Sequence, residues 1–488
     1  MLSTVIAATV ESARVSQQQL MPVCWLVQRV LVCTCLVVRK PFVNHGYHLA
    51  RQSGERCSSA TKHASVQLSP GRDFEMSAAR QAEDLLADVN PADPRLFRNE
   101  QILPIFEQMR QMQPVHYCKQ SAYGPFWSVT RYRDIMAVDK NHQQFSSESH
   151  LGGIMIDDAI VGDKNSEFFV QSFITMDPPD HGPQRKAVNK IVAPASLANF
   201  EKLIRQRTRT LFDSLPINEE FDWVDRVSIE LTTMMLATLF DFPFEDRRKL
   251  TRWSDVTTAE AGSPIVESQA QRIAELQECL AYFSRLKQER RNGPANFDLV
   301  TMLAQDAATA DQPDYQFLGN LMLLIVGGND TTRNTMSGSI NAFNHYPHQL
   351  TLLREHPELL DNMVSEVVRW QTPLSHMRRT AVEDTHIAGQ PVRKGDKVVM
   401  WYYSGNRDES MFDDADRFDI RRANANRTIS FGFGLHRCLG MRLAELQMHI
   451  LWQEILARWQ RIEIVGKVER VESNFVNGYS KMPVRIIA

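Results

Sequence analysis

The chemistry in this chain gathers first around one cysteine. Phe431 to Gly440 reads Phe-Gly-Phe-Gly-Leu-His-Arg-Cys-Leu-Gly, and a strongly helical segment, Met441 to Arg458, follows at once. A thiolate is a metal ligand, and Cys438 is placed to be one. A cysteine just ahead of a helix faces unpaired backbone N–H groups and the positive end of the helix dipole, which lowers its pKa. The glycines at 432, 434 and 440 let the backbone turn tightly and bring those N–H groups close to the sulfur and to a flat ring above it. A buried structural cysteine is the competing reading of any lone thiol.

Three further constellations lie upstream. In Met176-Asp-Pro-Pro-Asp-His-Gly-Pro-Gln-Arg185 the prolines stop any preceding helix, and Asp180 stands near the start of the next. His181 and Arg185 then share one face, where they either hold an anionic group or form a solvated basic patch. Gly327-Gly328-Asn329-Asp330-Thr331-Thr332 falls in the middle of an apolar segment. A glycine costs about 1 kcal/mol against alanine in a helix, so the missing side chains have a use there. A flat cofactor or diatomic ligand can lie against Gly327 and Gly328, with Asp330 and Thr331 as a proton relay. A kink re-capped by Asp330 and Thr331 fits the same residues. Glu366 and Arg369 form an i, i+3 pair, worth about 0.2–0.5 kcal/mol when exposed.

These groups need rigid elements to hold them. Asn320 to about Tyr346 is expected as one long helix, apolar on all sides through Leu321 to Val326 and therefore buried. A helix from near Pro357 carries Glu366 and Arg369. Short strands are expected at Pro114–Tyr117, Gly124–Thr130, Val392–Gly395 and Lys397–Tyr402, and a helix at Arg131–Asp139. Glu472 to Met482 reads as a hairpin returning to a cavity mouth. Gly153 to Phe173 has loop composition. The chain has 488 residues, 43% hydrophobic and 23% charged, typical of a globular protein with a sizeable core. A net charge of −3 does not suggest a nucleic-acid binder. Residues 1–75 differ, with eight Lys/Arg, four Asp/Glu and four of the seven cysteines. They are expected to be a dispensable or disordered extension. Arg29 interrupts the apolar run 20–38, so no membrane span is expected, although membrane association through that run stays open. Cysteines after residue 57 show no paired spacing, which fits a reducing, cytoplasmic setting. Residues 76–488 are expected as one domain.

The pattern Phe-Gly-x-Gly-x-His-x-Cys-x-Gly resembles the heme-binding signature of the cytochrome P-450 family, and the other motifs lie in that family's order over about residues 85–488. The resemblance implies a mainly α fold with a smaller β region, triangular and helix-rich, with heme buried between the central long helix and the cysteine loop. It implies heme b with Cys438 on the iron, Phe431 and Gly440 completing the loop, and Gly327 and Gly328 along the ring. Asp330 and Thr331 become the acid–alcohol pair of oxygen activation. Leu323, Val326, Leu374 and Met377 would face the substrate. His181, Arg185, Arg379 and His436 would hold the propionates, with Arg378 the alternative to Arg379 because the spacing is ambiguous by one. Glu366 and Arg369 would be structural, paired with Arg417.

Within the family, Tyr123–Thr130, Leu323–Asn334, Arg369–Leu374 and Val398–Tyr402 look like the bacterial class I terminal hydroxylases of medium-chain alkanes and fatty acids. That implies a monooxygenase inserting one atom of O2 into a C–H bond of a small apolar substrate. No reductase-like segment accompanies it, so a ferredoxin and an NADH-dependent ferredoxin reductase are the implied partners. Arg437 and Arg442 would meet an acidic ferredoxin or simply be solvated. A peroxide-driven heme peroxygenase and a non-catalytic heme ligand-binding protein are the alternatives. The intact Asp330–Thr331 pair argues against both.

Overall fold

A computed structural model of the chain describes Leu86 and residues 88–158, 171–259, 262–263 and 265–488. The extension expected over residues 1–75, with its apolar run, lies outside the described residues, as does part of the loop expected at Gly153–Phe173. Among the described residues no helix is long and apolar enough to cross a membrane.

Helices dominate and the strands are short. The largest sheet holds β1 (Val115–Cys118), β2 (Phe126–Val129), β3 (Phe145–Ser146), β4 (Met377–Ala381) and β5 (Lys397–Met400), in the order β1-β2-β5-β4-β3. β2 and β5 run parallel and the other pairs antiparallel. β5 is buried along its whole length, as its run of Val398, Val399 and Met400 requires of a central strand. The turn at Lys394-Gly395-Asp396 leads into β5, but the strand before it, Gln390–Val392, pairs with Thr385–Ile387 instead. Asp396 explains the break. It accepts from the Trp127 indole at 2.9 Å and the Arg393 N–H at 3.0 Å, fixing the turn against β2 and leaving β5 to pair with β2 and β4.

The helices that matter for the site are α1 (Tyr132–Lys140), α2 (His181–Val188), α3 (Arg248–Thr258), α4 (Gln269–Arg291), α5 (Asp314–His345), α6 (Leu360–Gln371) and α7 (Met441–Arg458). α5 is the expected central helix, and it begins six residues earlier, directly after Pro313. It runs unbroken through Gly327-Gly328, with most positions from Phe317 to Phe343 buried against α3, α6 and α7. The Thr331 hydroxyl donates to the Gly327 carbonyl at 2.7 Å, one turn back, so the glycine pair sits inside the helix and not at a re-capped break. α7 spans the residues expected of it and starts from Gly440. Its buried Leu443, Met448, Ile450, Leu451 and Ile455 each contribute about 1.5–3 kcal/mol by leaving water, which anchors the cysteine loop from behind.

Candidate active site

Among the described residues the best-formed cavity, about 600 Å³, lies where α5, α3, β4 and the loop before α7 converge. Cys438 is accessible, and the surface it offers lies on this cavity's wall. Its backbone N–H donates to the Phe431 carbonyl at 2.8 Å, closing the loop. Gly434 has φ +71°, and a Cβ there would stand 2.8 Å from the Asp139 carbonyl, so only glycine lets the loop lie on the end of α1. The lowered thiol pKa expected from helix position is not what results. Protein packed behind the sulfur desolvates it and pushes the thiol up, against the opposing N–H groups of Gly440 and Met441 and the Arg185 charge. A bound metal ion is therefore what would hold the sulfur as thiolate.

Phe431, His436 and Gly440 line the same cavity, with Arg185 from α2 and Arg379 from β4. The side chains of Arg378 and Arg379 leave β4 on opposite faces, as neighbours in a strand must. Arg379 faces the cavity, and its guanidinium donates to Asp139 at 2.6 Å and to the Arg378 carbonyl at 2.7 Å. Arg378 turns instead to the segment entering the cavity wall, donating to the Leu151 carbonyl at 3.0 Å and pairing with Asp158, which Lys397 also holds at 2.8 Å. The spacing ambiguity thus resolves to Arg379 on the cavity side.

His181 and His436 meet edge to face, ring centroids 4.7 Å apart, and neither ring has a hydrogen-bond partner for its buried nitrogens. Burial, then the Arg185 charge, pushes His181 down to about 4. Burial, then Arg379, pushes His436 down to about 2. Two neutral imidazoles with unmet polar atoms, beside two arginines, form a site whose unmet need is an anionic acceptor. Arg185 donates to the Arg437 carbonyl at 2.6 Å, which also ties α2 to the cysteine loop.

On the opposite wall, Gly327 opens to the cavity, with nothing within 4 Å of where a Cβ would be. Gly328 also lines it, but a Cβ there would press Leu236 at 2.9 Å, so this second glycine serves helix packing as well. Leu323, Val326, Leu374 and Met377 all line the cavity. Thr331 faces it, whereas Asp330 is buried behind it beside Arg333, at 2.9 Å. Burial holds the Asp330 carboxyl above the usual range, opposed by the Arg333 charge.

Glu366 and Arg369 are fully buried and doubly bonded, at 2.7 and 2.8 Å. Their third partner is not the Arg417 side chain, which is exposed. Arg422 reaches Glu366 at 3.1 Å, and Arg417 contributes only its carbonyl, accepting from Arg369 and Arg422. The loop between them folds so that Arg422, five residues on, points inward. Three further residues escaped the sequence reading. Asp139, 3% exposed, gathers Arg379, the Tyr402 hydroxyl at 2.7 Å and the Phe433 N–H at 2.8 Å. Thr258 lines the cavity from α3, and Phe475 lines it from the tail hairpin formed by Glu469–Arg470 and Tyr479–Lys481. Phe475 lies in the stretch Glu472–Met482 expected to return to a cavity mouth; Asp139 and Thr258 belong to no local motif, and only the fold brings them in.

The chain matches the family model described as Cytochrome P450 over residues 93–474. It is a member of the cytochrome P450 family. Linalool 8-monooxygenase from Pseudomonas putida is 38% identical over 400 residues, 81% of this chain and 98% of that one. Among solved structures, a cytochrome P450-153 from Novosphingobium aromaticivorans is 41% identical with a TM-score of 0.76, over 81% of this chain and 99% of that one. CYP153D17 from Sphingomonas sp. PAMC 26605 is 44% identical with a TM-score of 0.77, over 81% and 98%. The protein is thus a cytochrome P450 monooxygenase, and as a P450 it binds heme b. The residues present fit that group: a cysteine on one wall, an open glycine on the other, and unmet imidazoles beside arginines at the rim.

Proposed function

We propose that this P450 hydroxylates the terminal carbon of linear apolar chains, medium-chain n-alkanes or fatty acids, with electrons from a ferredoxin and its NADH-dependent reductase. The observation that carries the reading is the cavity wall. Leu323, Val326, Leu374, Met377 and Phe475 surround it with apolar side chains beside the Cys438 loop. A saturated chain end offers no hydrogen-bonding group, so choosing its methyl over weaker internal C–H bonds depends on orientation by such walls. The motifs at Tyr123–Thr130 and Leu323–Asn334, which look like terminal hydroxylases, support it, as does a relative named for oxidising linalool at position 8.

Heme iron carrying a cysteine thiolate supplies dioxygen activation and O–O cleavage. The chain's own part is to hold, orient and protonate. Cys438 is the iron ligand. Arg379, Arg185, His181 and His436 hold the propionates. The apolar wall excludes water and seats the substrate. Asp330 and Thr331 move the two protons that, with two electrons, accompany the second oxygen atom out as water. The exposed Arg437 and Arg442 beside the loop suit an acidic ferredoxin. The described cysteines, Cys118, Cys279 and Cys438, are free, in keeping with a reducing, cytoplasmic setting.

Spectral titration tests the reading. Octane or dodecanoic acid should shift the ferric heme from low toward high spin. Silence with every linear chain, together with a shift on adding a ring compound, would reject it.

A further inference from the structure

The two members of the acid–alcohol pair face different surroundings. The Thr331 hydroxyl lies on the cavity wall and donates a hydrogen bond to the Gly327 carbonyl. Asp330 is 1% exposed and does not reach the wall. Its carboxylate turns toward α3 and accepts from the Asn329 amide at 3.0 Å, with Arg333 at 2.9 Å. Arg333 in turn holds Asp255 at 2.6 Å, the member of the group with access to water.

Among the described residues, one side chain both hydrogen-bonds Asp330 and lines the cavity. Thr258, the last residue of α3, lines the cavity and places its hydroxyl 3.1 Å from Asp330 Oδ2. The same hydroxyl lies 3.2 Å from the Ser254 carbonyl. A hydroxyl has one proton and two lone pairs, so it donates to one of these oxygens at a time and can accept while donating elsewhere.

We propose that Thr258 is a positioning residue for oxygen activation, the hydroxyl through which buried Asp330 exchanges protons with the cavity. This rests on the reading of Asp330 as the proton source. In the exchange Asp330 Oδ2 gives its proton to Thr258 Oγ1 as Thr258 Oγ1 releases its own to the oxygen of a water molecule in the cavity. The carboxylate left behind is held by Arg333 and takes its next proton from water entering beside Asp255. Burial holds this carboxyl above its usual range, against the opposing Arg333 charge.

The test compares Thr258→Val, Thr258→Ser and Asp330→Asn in the full heme-loaded chain, with ferredoxin, reductase, NADH and dodecanoic acid. Two quantities are read: product per NADH oxidised, and, in the resting enzyme without turnover, the infrared carboxyl band that Asp330→Asn removes. Thr258→Val should lower product per NADH about tenfold, the size set by losing one hydrogen bond. It should also move the Asp330 band, and Thr258→Ser should restore both. Unchanged product per NADH in Thr258→Val, with Asp330→Asn impaired, would overturn the inference. So would a fall without any movement of the band, since the effect would then come from the cavity wall. Full product per NADH in Asp330→Asn would instead remove the reading of Asp330 on which the inference stands.

Discussion

His376 shows at the scale of one residue how burial outweighs chemical type. Its Nδ1 carries a proton, because its partner at 2.9 Å is the Asn474 carbonyl, while Nε2 has no partner. The Trp401 and Phe475 rings enclose it, with centroids 4.9 and 5.3 Å away. Burial pushes it down to about 4. An unfolded histidine titrates near 6.5, so between these pH values the unfolded chain binds the extra proton. Stability is therefore intact above pH 6.5 and declines as pH falls toward 4. The loss from this one group is about 2 kcal/mol between pH 7 and 5. Replacing His376 with glutamine should flatten that decline, measured as denaturation midpoints at the two pH values. Equal declines in the variant and the wild type would contradict this. Cys438 obeys the same rule. Its place before a helix is legible in the chain, but the protein behind it, which reverses the expected shift, is not.

At the scale of elements, the end of α1 is the joint between the cysteine loop and the cavity rim. Asp139 binds Arg379 of β4, Tyr402 after β5 and Phe433 of the loop. Asp139→Ala would leave Arg379, 2% exposed, without its carboxylate. Removing one partner of a buried pair costs about 3–5 kcal/mol. Denaturant unfolding should show a loss of that order; a loss below about 1 kcal/mol, the range of an exposed pair, would mean that the joint is not buried as described. The elements themselves were largely readable. The apolar run at Leu321–Val326 announced α5, and the β-branched run at Val398–Val399 announced β5. Their partners were less so. The strands expected at Val392–Gly395 and Lys397–Tyr402 flank the turn at Lys394–Asp396, but their pairing is not readable: Trp127, 269 residues away in sequence, bonds Asp396, and β5 pairs with β2 and β4. Arg417 and Arg422 differ in the same way: both are arginines of one loop, and only its path selects which reaches Glu366.

At the scale of the molecule, motifs in order along the chain named the family: a cysteine loop and a glycine-bearing helix that meet at one cavity, and a buried Glu–Arg pair on α6. What spacing does not carry is the cavity's wall, where Thr258, Phe475 and the segment Arg378 holds come from distant stretches. The proposed reaction depends on that wall orienting one end of a chain. Its most direct test is product analysis with octane, ferredoxin, reductase and NADH. The account predicts 1-octanol as the main product, dependent on NADH and both redox proteins. A mixture of internal alcohols, or product from peroxide alone with none from the NADH-driven chain, would contradict it.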